Sequence, residues 1–312
     1  MIARRWLERA RPRVDRGLAV VGLAVETGRA VRTRAAIQIV RQRQRVHRRF
    51  PAPVAIGERP RVLAVVTHVA TEGRSTEEAA ARLEQTLDGL FESLAHTDLE
   101  LVLNTLAGRH VAEALPEHQR ERLAVREHEG VEPLFAGFEA QKELAARAGD
   151  FEWFCYLEDD LVLRDTFLLE KLAFFNEAAP PGALLIPHRY ELWNGTKFHL
   201  DMWSKGMRPE ERRWNRLTLV ELGGWKFAEF ENPHSGCYFL SRAQLERWLA
   251  TGRRWYGISS YVGPRESAAT GALEEAFRLY KPHPENIHFL EIRHLGTQYA
   301  EYYSGLHPAP PS

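Results

Sequence analysis

Short apolar runs alternate with segments of helical spacing through the first two thirds of the chain. Leu83, Leu87, Leu90 and Leu94 recur at the spacing of one helix face. Runs rich in β-branched and aromatic residues predict buried strands at 62–67, 99–105, 153–157 and 183–187. Strands that alternate with helices favour the α/β class, in which helices cover both faces of a mostly parallel, twisted sheet.

Polar breaks and capping residues predict further helices. One helix is expected over residues 133–148, and a second is expected to be capped by Asp165. Ser241 is expected to cap a third helix that stops at Gly252, and a fourth is expected at about 270–280. The second half of the chain differs from the first: residues 189–232 lack a clear period, as loops do, and a strand is expected at 234–240 before the Ser241 helix.

The first 50 residues differ from the rest in charge. They contain 14 arginines, no lysine and three acids, so they carry +11 in a chain whose net charge is zero. The block 50–53, Phe-Pro-Ala-Pro, is typical of a linker. We therefore expect a basic leader over 1–55, helical or flexible, and a single domain over 56–312.

The leader has several interpretations. Its longest apolar run, 17–25, is shorter than the ~20 residues needed to span a bilayer, so we expect a cytoplasmic protein. A basic, partly apolar leader suits the anionic inner face of the membrane, but it could equally be a flexible arm or a helix packed on its own domain. No nucleic-acid recognition motif accompanies it, so no nucleic-acid partner is expected.

Both cysteines and several tryptophans lie in informative surroundings. Cys155 and Cys237 each fall in an apolar run, which predicts small core residues rather than a disulfide or a metal pair. The segment 189–232 contains tryptophans that could stack on sugar rings or serve as core anchors: Trp193, Trp203, Trp214 and Trp225.

Three consecutive acids form the strongest chemical signal. Glu158, Asp159 and Asp160 directly follow the apolar run 153–157, so they are expected at the carboxyl end of a core strand, where open α/β sheets bind ligands. Clustered carboxylates repel one another unless a cation lies between them, and oxygen ligands favour Mg²⁺ or Mn²⁺. No glycine-rich phosphate loop follows the first strand, so a bound phosphate would need the metal and basic side chains.

The stretch from Leu157 to Phe175 resembles a known motif. Leu157-Glu158-Asp159-Asp160-Leu161, followed by Asp165-Thr166-Phe167 and a helix with Phe174-Phe175, resembles the Glu-Asp-Asp form of the Asp-X-Asp motif. That motif is found in GT-A glycosyltransferases, among them the N-acetylglucosaminyltransferase I type. The order of strands and helices from about 61 to 250 is compatible with the GT-A fold.

The resemblance implies a metal-dependent transfer of sugar from a nucleotide sugar. We expect the acceptor to be a glycan or glycolipid and the transfer to be inverting, with a retaining transfer as the alternative. The donor half of the domain would be about 56–187 and the acceptor half about 188–312. The resemblance also implies that Asp160 binds Mn²⁺ or Mg²⁺ and that Asp159 contacts the metal or the sugar. Glu158 would contact the ribose or support the metal ligands.

The remaining site candidates lie mostly in the second half. GT-A enzymes often add a late histidine to the metal, which suggests His294, with His188 and His234 as rivals. Cations that could contact the diphosphate are Arg74, Lys281 and Arg293.

An inverting transferase also needs a general base for the acceptor hydroxyl. A carboxylate near a helix N-terminus stays ionised because the helix dipole stabilises its charge. Glu266 is the preferred candidate, with Glu274 and Glu275 as alternatives.

Two other functions remain open at this point. A metal-dependent nucleotidyltransferase would use the same acids, and it would release pyrophosphate instead of a nucleoside diphosphate. A non-catalytic binding or scaffold protein could also keep the fold.

Overall fold

The computed structural model describes residues 59–71, 73–202, 219–230, 232–252 and 263–304. The described residues up to Gly296 belong to one compact unit, and those from Thr297 onward belong to a second. The predicted leader, Trp203 and Trp214 lie outside the described residues. None of the described helices is both long enough and apolar enough to cross a bilayer.

The strands are numbered in chain order. They are β1 (Arg61–Thr67), β2 (Asp98–Leu106), β3 (Leu123–His128), β4 (Trp153–Glu158), β5 (Leu161–Val162), β6 (Ala183–Leu185), β7 (His188–Trp193), β8 (Thr196–His199), β9 (Leu219–Leu222), β10 (Trp225–Glu229), β11 (Cys237–Ser241), β12 (Arg278–Pro282) and β13 (Glu291–His294).

The helices are numbered in the same way. They are α1 (Thr76–Ser93), α2 (Glu117–Arg120), α3 (Ala136–Ala146), α4 (Leu168–Ala178), α5 (Arg242–Leu249), α6 (Pro264–Glu266), α7 (Ala272–Glu274) and α8 (Gln298–Ser304). A π-helical turn, Ser267–Gly271, joins α6 to α7.

The largest sheet has the strand order β11–β4–β1–β2–β3. The pairs β1/β2, β2/β3 and β1/β4 are parallel, and β11 adds an antiparallel edge. From β1 the chain first builds outward through β2 and β3, and it then returns to place β4 on the other side of β1. The strand order therefore reverses between β1 and β4, and such switch points bind ligands at the carboxyl ends of the strands.

Helices cover both faces of this sheet. Val62, Ala64 and Val66 of β1 point into a core that α1 covers, whereas Leu63 and Val65 point into a second core formed with α3 and α5. This alternation is the period of a strand that is buried on both sides. The predicted α/β class, with a mostly parallel sheet between helices, is confirmed.

Two serines begin helices through capping boxes. The Ser75 hydroxyl accepts a hydrogen bond from Glu78 N–H at the start of α1, and the Ser241 hydroxyl accepts one from Gln244 N–H at the start of α5. In each case the third residue of the helix bonds back to the serine N–H, so two otherwise unpaired donors are satisfied. The prediction that Ser241 caps a helix is confirmed.

Two smaller sheets complete the larger unit, in the orders β6–β12–β10–β9 and β5–β13–β7–β8. The second of them is important for the site, because β5 directly follows the acidic triplet. Its pairing with β13 places Arg293 opposite Val162 and His294 opposite Leu161. A late segment of the chain therefore lies beside the acids.

Two helix predictions are wrong at their boundaries. Asp165 does not cap α4, which begins at Leu168; its carboxylate accepts from Phe167 N–H at 3.1 Å and pairs with Lys171 at 2.6 Å. The helix predicted at 270–280 ends at Glu274, and residues 278–282 form β12 instead. Pairing of β12 with β6 buries its apolar side chains, and this tertiary contact outweighs the local helical preference.

The cysteines and the described tryptophans of segment 189–232 also have defined places. Cys155 and Cys237 are buried free thiols, as predicted. Trp225 is 4% exposed and packs on Phe289 with ring centroids 4.8 Å apart, so it is a core anchor. Trp193 is half-buried at the end of β7.

Candidate active site

Asp159 lies at the switch point of the large sheet. It follows β4, and His68 follows the neighbouring strand β1, with His68 Nδ1 and Asp159 Oδ2 2.5 Å apart. The Thr86 hydroxyl of α1 donates to the Asp159 carbonyl at 2.9 Å. Side chain and backbone of Asp159 are therefore both fixed by groups from outside β4.

Asp160 contacts two cations through one oxygen. Its Oδ2 accepts from Arg82 Nη2 at 3.1 Å and lies 3.5 Å from His294 Nε2. Burial alone would raise the pKa of Asp160, but the contact with His294 and the charges of Arg82 and Arg189 outweigh it and hold that pKa below its ordinary value. The other carboxylate oxygen, Oδ1, is buried and has no hydrogen-bond partner among the described residues.

His294 is held between two carboxylates. Its Nδ1 lies 2.9 Å from Oε1 of the fully buried Glu191, and its Nε2 faces Asp160. Burial would lower the pKa of His294, but hydrogen bonds to Asp160 and Glu191 raise it to about 9. With nothing bound, the ring is therefore an imidazolium at neutral pH.

The chemistry of these donors fits a divalent cation that is shared with a ligand. A metal-bound histidine usually has its second ring nitrogen bonded to a carboxylate, as His294 has with Glu191. Among the described residues, no three His, Cys, Asp or Glu side chains gather into a complete metal site. Asp160 and His294 would thus supply two ligands, and Mg²⁺ typically takes the others from phosphate oxygens and water.

Glu158 is the first acid of the triplet, and its pKa is raised to about 8. Burial is the main cause, and the negative charges of Asp160, Asp159 and Glu266 add to it. Its Oε2 would lie 2.5 Å from a Cβ added to Gly236, a residue with φ of +65°. Only glycine therefore fits at position 236. Because its pKa is about 8, the Glu158 carboxyl is mostly neutral at pH 7 and can donate a hydrogen bond.

The three candidate bases lie in different places. Glu266 ends α6, and its charge acts on Glu158, which places it in the electrostatic surroundings of the acidic triplet. Glu274 and Glu275 are exposed beyond the π-helical turn, at the far end of the same helical segment. Glu266 is thus the candidate that the fold brings toward the acids.

The three candidate diphosphate cations are dispersed. Arg74 is exposed in the loop between β1 and α1, at the carboxyl end of β1. Lys281 is buried, and its Nζ donates to Asp201 at 2.7 Å and to the His234 carbonyl at 2.8 Å. Arg293 precedes His294 in β13, so its side chain points to the opposite face of that strand.

The rival histidines make other contacts. His188 is fully buried, its Nε2 lies 2.7 Å from the Pro282 carbonyl, and burial together with the charge of Lys281 lowers its pKa to about 3. Burial likewise holds the pKa of His234 well below its ordinary value, and its Nδ1 lies 3.0 Å from the Thr270 hydroxyl. Both rings are therefore neutral at pH 7.

A buried ion network lies behind the site. Asp201 is completely buried and accepts from Arg189 at 2.8 Å and from Lys281 at 2.7 Å. Burial would raise the pKa of Asp201, but Arg189 and Lys281 hold it far below its ordinary value. Burial lowers the pKa of Lys281 to about 8, with Asp201 opposing that effect. The positive charge of Arg189 also acts on Glu158 and on Asp160.

Sequence reasoning missed several of these partners. His68 carries a weak local signal, since it is the polar residue that directly follows the first predicted strand. No local sequence signal marks Arg82, Glu191 or Asp201, because each contacts its partner only after distant parts of the chain have packed.

Comparison with known proteins gives only remote similarity. No protein-family model and no curated protein matches the chain. Among solved structures, it is similar to the mannosyltransferase PcManGT from Pyrobaculum calidifontis, in complex with GDP-Man and Mn²⁺. The identity is 15%, over 88% of this chain and 68% of the other, with a TM-score of 0.42.

Two further structures show similarity of the same order. TarS of S. aureus is 12% identical over 78% of this chain, which spans 38% of the TarS chain, with a TM-score of 0.44. A mannose-1-phosphate geranyltransferase from Thermus thermophilus is 16% identical over 71% of this chain and 73% of the other, with a TM-score of 0.36. These similarities assign neither a family nor an activity, so the function must rest on the chemistry of the site.

Proposed function

We propose that the protein is a metal-dependent GT-A-type glycosyltransferase that moves a sugar from a nucleotide sugar to a glycan or glycolipid hydroxyl. One observation carries the proposal. Asp160 lies at the switch point of the sheet with one buried oxygen unpartnered among the described residues, and His294, oriented by Glu191, faces its other oxygen. A carboxylate and an imidazole so placed suit a cation that is shared with a diphosphate.

Asp160 and His294 would hold Mn²⁺ or Mg²⁺, which when bound neutralises the charge that builds up on the leaving diphosphate. Asp159, held by His68 and Thr86, would contact the metal or the donor sugar. Glu158, protonated at neutral pH, can donate a hydrogen bond to a ribose hydroxyl.

Glu266 is the proposed general base. It would accept the proton of the acceptor hydroxyl while the oxygen bonds to the anomeric carbon and the bond from that carbon to the diphosphate breaks, with inversion. The charge of Glu266 acts on Glu158, and this proximity to the acidic triplet favours Glu266 as the base over Glu274 and Glu275.

Replacement of Glu266 separates donor binding from transfer. Glu266→Gln keeps the shape of the side chain but cannot take a proton, so transfer is expected to fall about 10²-fold, within the usual range for a lost general base. Stabilisation by the donor should persist. Steady-state rates and melting curves measure the two effects, with Glu275→Gln as the matched control. Unchanged transfer by Glu266→Gln would exclude it as the base.

A thermal-shift screen of UDP-, GDP- and dTDP-sugars with Mn²⁺ tests the function itself. A ligand that binds only the native state at 100 times its Kd stabilises it by about 2.7 kcal/mol. We expect at least one nucleotide sugar to raise Tm with Mn²⁺, and to raise it less when EDTA replaces the metal.

The products separate the alternatives. Release of a nucleoside diphosphate is expected, whereas pyrophosphate would indicate a nucleotidyltransferase. If no nucleotide sugar raises Tm with Mn²⁺, the proposal is wrong and a binding or scaffold role is favoured.

A further inference from the structure

A cavity, which we call the β13 pocket, is bounded by the small sheet that contains β13. Its volume is about 400 Å³, within the size range of small-molecule sites. The charged residues of its lining are Arg164, Asp165, Lys171, Lys197, Glu291 and Arg293.

The β13 pocket is separate from the acidic site. In the sheet, Arg293 pairs with Val162 on one side and with Tyr190 on the other, and all three line the pocket. His294, the next residue of β13, points to the opposite face and contacts Asp160. One strand therefore contributes a side chain to each of two sites.

The charges of the pocket are unbalanced. Four cationic and two anionic side chains line it, which leaves an excess of two positive charges if His288 is neutral. Both anions are already engaged: Asp165 pairs with Lys171, and Glu291 pairs with Lys197, each at 2.6 Å. The excess charge therefore belongs to the two arginines.

Neither arginine is neutralised inside the pocket. Arg293 Nε is buried and has no hydrogen-bond partner among the described residues. Arg164, whose side chain is 58% exposed, forms an ion pair at 3.6 Å with Glu92, which is itself 51% exposed and does not line the pocket. A buried guanidinium donor without an acceptor is costly, and an anion in the pocket would relieve that cost.

We propose that the β13 pocket binds a small phosphate ester, with the phosphate on Arg293 and Arg164 and the organic part against Tyr190 and Leu192. A phosphate monoester carries close to two negative charges, which matches the excess, whereas a single carboxylate carries one. Guanidinium groups suit the bidentate geometry of phosphate oxygens. This site goes beyond the proposed function, which uses only the other face of the sheet.

Calorimetry with two probes tests the proposal on the full chain, in EDTA so that a metal-bound diphosphate site does not contribute. The probes are inorganic phosphate and glucose 1-phosphate. We expect saturable binding of both, tighter for the ester because it also fills the apolar part of the pocket. Arg293→Gln should weaken binding at least tenfold, and Arg164→Gln should weaken it as well.

Three controls keep the proposal falsifiable. Arg278→Gln removes an exposed arginine outside the pocket and should leave binding of both probes unchanged. Asp160→Asn changes only the acidic site, so it should also leave binding of the probes to the β13 pocket unchanged, whether or not the protein is a transferase. Melting curves verify folding, and Arg164→Gln serves as the test if Arg293→Gln does not fold. The proposal would be overturned if the wild type showed no saturable binding of either probe. It would also be overturned if Arg164→Gln and Arg293→Gln bound the probes as tightly as the wild type does.

Discussion

Asp160→Asn is expected to lower the rate of sugar transfer on the order of 10³-fold, the upper range for loss of one electrostatic group. The substitution keeps the size of the side chain and removes the charge that would hold a divalent cation beside His294. Release of nucleoside diphosphate, measured with Mn²⁺ and the donor found by the thermal-shift screen, gives the rate.

The matched control for this substitution is Asp98→Asn. Asp98 has a 69% exposed side chain at the start of β2 and lies 3.9 Å from Arg61. Its replacement should change the rate less than twofold. If Asp160→Asn retained a tenth or more of the wild-type rate while staying folded, Asp160 would not be the metal ligand.

Asp201→Asn is expected to lower the free energy of unfolding by about 3–5 kcal/mol, the cost of breaking a buried ion pair. The asparagine fills the same volume, but Arg189 and Lys281 lose the charge that both contact. Urea denaturation followed by circular dichroism measures the change, and Asp98→Asn should alter stability by less than about 0.5 kcal/mol.

A double substitution shows whether that cost is electrostatic. Lys281→Met removes one of the two cations left behind, so the Asp201→Asn/Lys281→Met protein should be more stable than the sum of the two single changes predicts. Additive losses would mean that the charges are not coupled. A loss below about 1 kcal/mol for Asp201→Asn alone would contradict a buried network.

The sequence predicted β1, β2 and β4 of the large sheet, and the place of the acids, for a local reason. A strand buried on both faces reads as a continuous apolar run, and the run 153–157 ends where β4 ends. The position of Asp159 and Asp160 at a strand end therefore required no knowledge of distant contacts. Helix starts with a serine cap, such as Ser241, were predictable for the same reason.

The sequence could not predict which histidine and which cations lie beside the acids, because these contacts depend on pairing between distant segments. The sequence favoured His294 only by its late position, with His188 and His234 as rivals, and the pairing of β13 with β5 places His294 beside Asp160. Lys281 and Arg293 looked like equal candidates for the diphosphate. The fold buries Lys281 against Asp201, and the register of β13 points Arg293 toward the β13 pocket.

Asp165 illustrates the limit of capping rules. A polar residue before an apolar helical stretch favours an N-cap, but its carboxylate is engaged by Lys171 and by the turn that precedes α4. The helix therefore starts at Leu168, two residues later than a cap at Asp165 would give. Local propensity placed the helix correctly but not its first residue.

A crystal structure of the full chain with MnCl₂ and the nucleoside diphosphate of the identified donor tests the central claim most directly. We predict a manganese anomalous peak bonded to the Asp160 carboxylate and to His294 Nε2, with diphosphate oxygens as further ligands. A nucleotide bound away from the carboxyl ends of β1 and β4, or a metal without Asp160 as ligand, would contradict the account.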